Sequence, residues 1–173
     1  MMVIDRYEAR LLEGDEWLLV YGRRKTGKTF LLRWWVDWAL YVTVGRSGVC
    51  LVERRGGEPE FTGMLDSLKE AVRTVKEGGV AVIDEFQRVP ETFWDYLALA
   101  RQESRGRLIL CGSSMALVRR VFDRRSPLLG LFKPVKVDLV SPVDVLKALA
   151  SRLEPGNALL WSVLVRDPWI LNM

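Results

Sequence analysis

Histidine is missing from this sequence of 173 residues. Its absence removes every scheme in which an imidazole serves as general base, nucleophile activator or metal ligand. Cysteine occurs only twice, at Cys50 and Cys111. Two thiols without histidine fall short of a four-ligand zinc site. Each lies inside an apolar run, where reduced core thiols belong. Long uncharged apolar stretches are lacking too. The longest strongly apolar segment, Phe30 to Val44, contains Arg33 and Asp37 and is too short and too charged to span a bilayer. The opening MMVIDRYEAR has no secretory leader pattern. The expectation is a cytoplasmic protein with no membrane partner. Its chemistry has to come from carboxylates, hydroxyls, lysine, arginine and a bound cation.

What is present is the balance of a globular chain, about half apolar and about a quarter charged. Its length suits one compact domain with a real core. The net charge of +4 is mild; it permits a nucleic acid or acidic partner without requiring one.

Strand-like and helix-like segments alternate. Trp17–Tyr21 (WLLVY), Val80–Ile83 and Arg107–Cys111 are continuous apolar runs, the mark of strands covered on both faces. Val49–Glu53 and Lys133–Leu139 add further strands, with Tyr41–Val44 as an extra edge piece. Helices are expected over Lys28–Tyr41, Thr62–Glu77, Pro90–Ser104, Ser113–Phe122, Ser141–Leu153 and Asn157–Val165. Ser141 and Pro142 provide a cap and a first-turn proline. Strands alternating with helices imply right-handed crossovers and an α/β three-layer sandwich with a mainly parallel sheet. The expected strand order is 5-1-4-3-2. Residues 1–140 form the expected nucleotide-binding domain. Residues 141–173 form a short helical extension, packed on that domain or beginning a truncated lid.

Directly after the first strand, Gly22–Thr29 reads GRRKTGKT, which fits G-x-x-x-x-G-K-[ST] and opens a helix. Gly22 lets the chain turn off the strand, and Gly27 can take backbone angles closed to other residues. The amides of Arg23, Arg24, Lys25, Thr26 and Gly27, continuing to Phe30, then form an anion-binding nest at a helix N-terminus. Lys28 should bridge the β- and γ-phosphates of a nucleoside triphosphate, and Thr29 should place its hydroxyl on Mg²⁺. Arg23, Arg24 and Lys25 are either solvated or favour an anionic ligand.

Val80–Glu85 reads VAVIDE, a buried strand ending in two carboxylates. A cation at the strand tip offsets the cost of placing charge there. Asp84 fits the magnesium-holding acid, and Glu85 the general base that orients an attacking water. No Asn-Lys-x-Asp guanine-reading motif follows, so ATP is expected over GTP. The third apolar strand leads into Gly112, Ser113 and Ser114. Either serine could sense the γ-phosphate or hold the water, or simply cap the next helix.

Together these motifs resemble the archaeal ATPase family within the AAA-type, signal-transduction group of P-loop NTPases, from about Val3 to about Pro142. IDRYEARLL (Ile4–Leu12) is similar to the family's Arg-Glu box near the adenine. YGRRKTGKTFLL, VIDEFQRVP and LILCGSSMALV follow in the family's order, and DRRSPLLG (Asp123–Gly130) is similar to its Ser-Pro-Leu-Tyr-Gly-Arg segment. The resemblance implies an Mg²⁺-dependent ATPase module acting as a switch or motor. The alternatives are a nucleotide-binding switch with little hydrolysis, motivated by the departure at Leu131, or a nucleic-acid-stimulated ATPase. Two departures stand out. Leu131 occupies the family's usual arginine position, leaving Arg119, Arg120, Arg124 and Arg125 as nearby candidates to complete the site. The family's usual helical and winged-helix region does not follow before Met173. Finally, the helix from Lys28 carries Trp34, Trp35 and Trp38 among leucines. The favoured expectation covers it with the sheet and a C-terminal helix bearing Trp161 and Trp169; the alternative is contact with a protein partner or a second copy.

Overall fold

The computed structural model describes residues 4–168. A helical turn, α1 (Tyr7–Arg10), precedes β1 (Leu18–Tyr21), α2 (Lys28–Trp35), β2 (Leu40–Val44), β3 (Val49–Arg54), β4 (Glu60–Gly63), α3 (Met64–Lys76) and β5 (Val80–Asp84). Two 3-10 turns, Phe86–Arg88 and Glu91–Phe93, lead to α4 (Trp94–Glu103). Then come β6 (Arg107–Gly112), α5 (Met115–Val121), β7 (Lys133–Lys136), α6 (Pro142–Leu149) and α7 (Pro155–Leu164).

The strands form one seven-stranded sheet in the order β4-β3-β2-β5-β6-β1-β7. β7, β1, β6, β5 and β2 are parallel neighbours. β3 and β4 are antiparallel additions outside β2. The full order therefore differs from the five-strand 5-1-4-3-2 expected. The expected second strand, Val49–Glu53, lies antiparallel outside β2, and β2 takes the place beside β5; with β2 counted as the second, the five parallel strands by themselves run 5-1-4-3-2.

Alternate residues of each central strand face opposite layers. Leu18 and Val20 pack with Leu31 and Leu32 of α2, with Tyr41 and with Val135. Trp17 and Leu19 join the other layer, where Leu68, Ala71, Val72 and Val75 of α3 meet Trp94 and Leu97 of α4. The α3 residues sit at helical spacing, which is why this segment folds as an amphipathic helix. Burying such side chains contributes roughly 1.5–3 kcal/mol each. Cys50 and Cys111 are free and buried, as core thiols should be.

Several boundaries shift from expectation. α2 ends at Trp35, and Val36 leaves it in extended conformation. The segment expected to continue the helix to Tyr41 instead enters β2, which lies inside the sheet between β3 and β5 rather than as an edge piece. Its β-branched Val42, Thr43 and Val44 favour a strand, and Tyr41, Val42 and Val44 are fully buried there. Thr62 and Gly63 belong to β4, so α3 begins at Met64. The last strand stops at Lys136 rather than Leu139.

The Trp-rich helix packs on the sheet through Leu31 and Leu32, but its Trp34 and Trp35 side is not covered as favoured. Trp34 and Trp35 of α2 are exposed at 57% and 41%, and Trp161 of α7 at 47%. Trp169 lies outside the described residues. α7 also exposes Leu159, Leu160, Val163 and Leu164. α6 is tied inward by a small cluster of Ile4, Val140 and Val145, and its Asp144 carboxylate accepts from the Tyr7 amide at 3.2 Å. Ser141 caps α6 as expected, its hydroxyl accepting from the Asp144 amide. Among the described residues no helix is long and apolar enough to cross a membrane.

Candidate functional site

The carboxyl ends of β1, β5 and β6 converge on a cavity of about 760 Å³. This is where ligands bind in open α/β sheets. The turn Gly22–Thr29 forms one wall. A β-carbon on Gly22 would overlap the Val137 carbonyl, so only glycine lets β1 leave the sheet this close to the chain after β7. Gly27 takes φ 83°, ψ 18° as the N-cap of α2, a left-handed geometry that suits glycine. Lys25 also has positive φ, 65°. Thr26 is buried, and its hydroxyl donates to the Arg23 carbonyl at 2.9 Å. Arg23 is exposed, while Arg24, Lys25, Gly27, Thr29 and Phe30 line the cavity.

Lys28 is buried, and its ammonium donates to the Gly22 and Arg23 carbonyls at 3.0 and 2.7 Å. Burial lowers its pKa below the usual lysine value, while the Asp84 and Glu85 carboxylates oppose that shift. An ammonium poised on carbonyls of its own loop is a cation with a replaceable partner. A phosphate entering the nest can compete for it.

Opposite stand the acids. Asp84 ends β5 nearly buried. Its Oδ2 accepts from the Thr29 hydroxyl at 2.7 Å and the Tyr41 hydroxyl at 2.8 Å, and its Oδ1 from the Glu85 amide at 2.8 Å. Burial first, then the Asp84 charge, pushes the Tyr41 and Cys111 pKa values well up, so both groups stay protonated. Thr29 and Asp84 thus present hard oxygen donors side by side, the kind Mg²⁺ prefers. Among the described residues no group of three or more His, Cys, Asp or Glu could hold a metal alone. The pair fits a cation that takes its remaining ligands from phosphate and water.

Glu85 lies beyond the strand end at φ 60°, ψ 35°. Its Oε2 accepts from the Gln87 amide at 2.6 Å and pairs with the Arg88 guanidinium at 3.0 Å. Arg88 is fixed in turn by the Val44 carbonyl at 2.6 Å. Among the described residues, the buried Gln87 Oε1 has no hydrogen-bond partner.

The two serines separate. Ser113 lines the cavity, whereas the Ser114 hydroxyl accepts from the Ala116 amide and caps α5. Arg119, Arg120, Arg124 and Arg125 do not line the cavity. Arg120 instead pairs with Glu91 and lies 5.1 Å from the Trp94 ring. The arginines that do line it are Arg6, Arg24, Arg33, Arg46 and Arg88. Arg6 is the most anchored. Its guanidinium donates to the Thr26 and Asp138 carbonyls at 2.7 Å each and pairs with Glu8. Sequence reasoning placed the Ile4–Leu12 box near the base but missed Arg6 as a strut of the phosphate turn. It also missed Tyr41, Arg46 and Arg88. Tyr41 was hidden by reading its segment as helix. A register count along β2 would have placed Tyr41 beside Val82 and Thr43 beside Asp84.

The family profile described as AAA domain matches residues 14–127. Among solved structures, the chain is similar to a Walker-type ATPase of Pyrococcus abyssi, at TM-score 0.65 and 17% identity over 95% of this chain and 64% of that one. A STAND-type signal transduction ATPase with a tetratricopeptide repeat sensor from Pyrococcus horikoshii gives TM-score 0.61 and 16% identity over 99% of this chain and 29% of that one. The ORC1 protein of Aeropyrum pernix, solved in complex with DNA, gives 0.53 and 16% over 93% and 55%. The chain spans less than two thirds of the length of each of these structures. No curated protein matches.

Proposed function

Since the chain belongs to the AAA domain family, we propose that it binds ATP with Mg²⁺ and hydrolyses the terminal phosphate. The observation that carries this reading is the Thr29–Asp84 contact of 2.7 Å, which joins the end of the glycine-framed loop to the acid of β5 in the cavity that Lys28 also lines. The loop amides and the α2 N-terminus receive the phosphates. Lys28 leaves the Gly22 and Arg23 carbonyls for the β- and γ-phosphates. Thr29 and Asp84 hold the cation, which when bound neutralises charge on the phosphate oxygens. Glu85 orients a water in line with the γ-phosphate and takes its proton, and Ser113 contacts that phosphate or the water.

Titration of labelled ATP and GTP, with and without Mg²⁺, tests binding. The expected order is ATP above GTP, with Mg²⁺ strengthening both. Lys28→Ala should weaken binding about 10–100-fold, the worth of a charge-assisted contact. Glu85→Gln should keep ATP affinity within a few-fold and lower phosphate release by about 10² or more. Unchanged turnover in Glu85→Gln removes Glu85 from the mechanism.

A second reading is a nucleotide-dependent switch with little intrinsic hydrolysis. It is favoured by Glu85 being engaged by Gln87 and Arg88. Equal phosphate release from wild type and Lys28→Ala, with ATP binding intact in the wild type, selects it. The exposed rings of Phe30, Trp34 and Trp35 beside the cavity offer a contact surface for a protein partner or a second copy in either reading.

A further inference from the structure

The buried Tyr41 lies on β2, the strand next to β5, and no motif singles it out. Its hydroxyl donates to Asp84 Oδ2 at 2.8 Å, the same oxygen that accepts from Thr29 at 2.7 Å. The two donors differ in kind. Thr29 stands at the cavity wall, and its hydroxyl is one of the two protein groups that would face a cation. Tyr41 is fully buried behind the acid, and its ring belongs to the core under α2, packed with Leu31, Leu32 and Val82.

The ring is itself held from two sides. The Arg33 guanidinium lies over its face, 4.2 Å from the ring centre. Trp38 meets its edge at 5.5 Å and 68°. Arg33 is fixed by a two-point pair with Glu53 of β3. A chain of contacts thus runs from the added antiparallel hairpin through Glu53, Arg33 and Tyr41 to the acid at the end of β5. Every member is a directional contact, and the chain meets the phosphate loop at its far end, where Asp84 accepts from Thr29.

Resting on the reading of Asp84 as the magnesium-holding acid, we propose that Tyr41 is a positioning residue for the divalent cation. It holds Oδ2, the carboxylate oxygen beside the Thr29 hydroxyl, while the Glu85 amide holds Oδ1, so the carboxylate keeps the orientation that a cation next to Thr29 requires. When a cation takes the Thr29 hydroxyl, Asp84 loses one of its two side-chain hydroxyl donors. Tyr41 keeps the carboxylate from rotating, and groups that orient a metal-binding carboxylate typically change metal affinity 10–100-fold.

The test is Tyr41→Phe, which removes one oxygen and keeps the ring, its Arg33 contact and the core volume. ATP affinity is measured by titration in Mg²⁺ and again in a chelator, for wild type, Tyr41→Phe and Lys28→Ala, with thermal unfolding of each. The expected result is a loss of about 10-fold or more in the Mg²⁺ arm for Tyr41→Phe. Its chelator-arm affinity should stay within about two-fold of wild type, whereas Lys28→Ala should lose affinity in both arms. A purely structural role would lower both arms together for Tyr41→Phe, and that outcome overturns the proposal. Equal Mg²⁺-arm affinities for wild type and Tyr41→Phe overturn it as well, while leaving the ATP-binding reading intact. No ATP binding by a folded wild type overturns both. Should Tyr41→Phe fail to fold, Trp38→Leu frees the edge of the ring at a residue that does not line the cavity. The same Mg²⁺-only loss is expected there, and unchanged affinity in both arms overturns the proposal.

Discussion

At the scale of single residues, Lys28 ties protonation to ligand binding. Burial lowers its pKa from the ordinary lysine value of 10.5. The ammonium is the form that attracts a phosphate, so ATP affinity should fall as pH rises through that lowered pKa, at a pH where a free lysine is still charged. The folded pKa lies below the unfolded one, so the fold disfavours the proton. The stability cost of holding the charge is therefore present at neutral pH and relieved as pH climbs toward 10.5. ATP titrations at several pH values from 7 to 10 check the first statement, and urea unfolding over the same range checks the second. Gly22 is the other decisive residue. Gly22→Ala drives a methyl into the Val137 carbonyl, and the expected loss is about 1–3 kcal/mol in denaturant unfolding. Gly130→Ala, in open space at φ 78°, meets only the backbone penalty and should lose less. Both glycines of the phosphate turn, Lys28 and the Asp84–Glu85 tip were legible because the spacing itself carries the chemistry. Arg6, Arg46 and Arg88 were not. Each reaches the cavity through tertiary placement, and nothing in the local sequence separates them from the many other arginines.

At the scale of elements, hydrophobic periodicity found most strands and helices but misjudged where α2 stops. An apolar run through Leu40 and Val44 reads equally as a helix covered all round or as a helix followed by a buried strand. The β-branched cluster Val42-Thr43-Val44 was the deciding signal. The same exchange explains why β2, taken for an edge piece, is the strand that flanks β5. The helix caps give a prediction at this scale. Ser114→Ala removes the cap of α5 and should cost about 1 kcal/mol in unfolding free energy, leaving ATP affinity unchanged. Ser113→Ala should leave stability within about 0.5 kcal/mol and alter phosphate release if Ser113 meets the γ-phosphate. Chemical denaturation and phosphate-release assays on the two single variants separate the cap from the sensor.

At the scale of the whole molecule, the five parallel strands carry the site, while the hairpin of β3 and β4 widens the sheet beyond it. Helix-rich α/β logic anticipated the parallel part. Val49–Glu53 was expected as a strand, but its antiparallel partner β4 was missed because Glu60–Gly63 follows Gly56, Gly57 and Pro59, which read as loop. The rings on α2 are a whole-molecule feature, since Trp34, stacked on Phe30, remains 57% exposed. Replacing Trp34 and Trp35 by serine should change unfolding free energy little, within about 0.5 kcal/mol for each exposed site. If these rings meet a second copy, the same change should shift the protein to monomer in light scattering. Arg6 has a different reach. One guanidinium clasps Thr26 in the phosphate turn and Asp138 after β7, while the neighbouring Tyr7 amide holds Asp144 at the head of α6. The N-terminal segment therefore works as a cable rather than a tail. A shift of the turn around a guest is expected to reach the head of α6 through these bonds, and Arg6→Ala should remove that linkage, read as ATP-dependent protection of the α6 amides in hydrogen exchange that is lost in the variant.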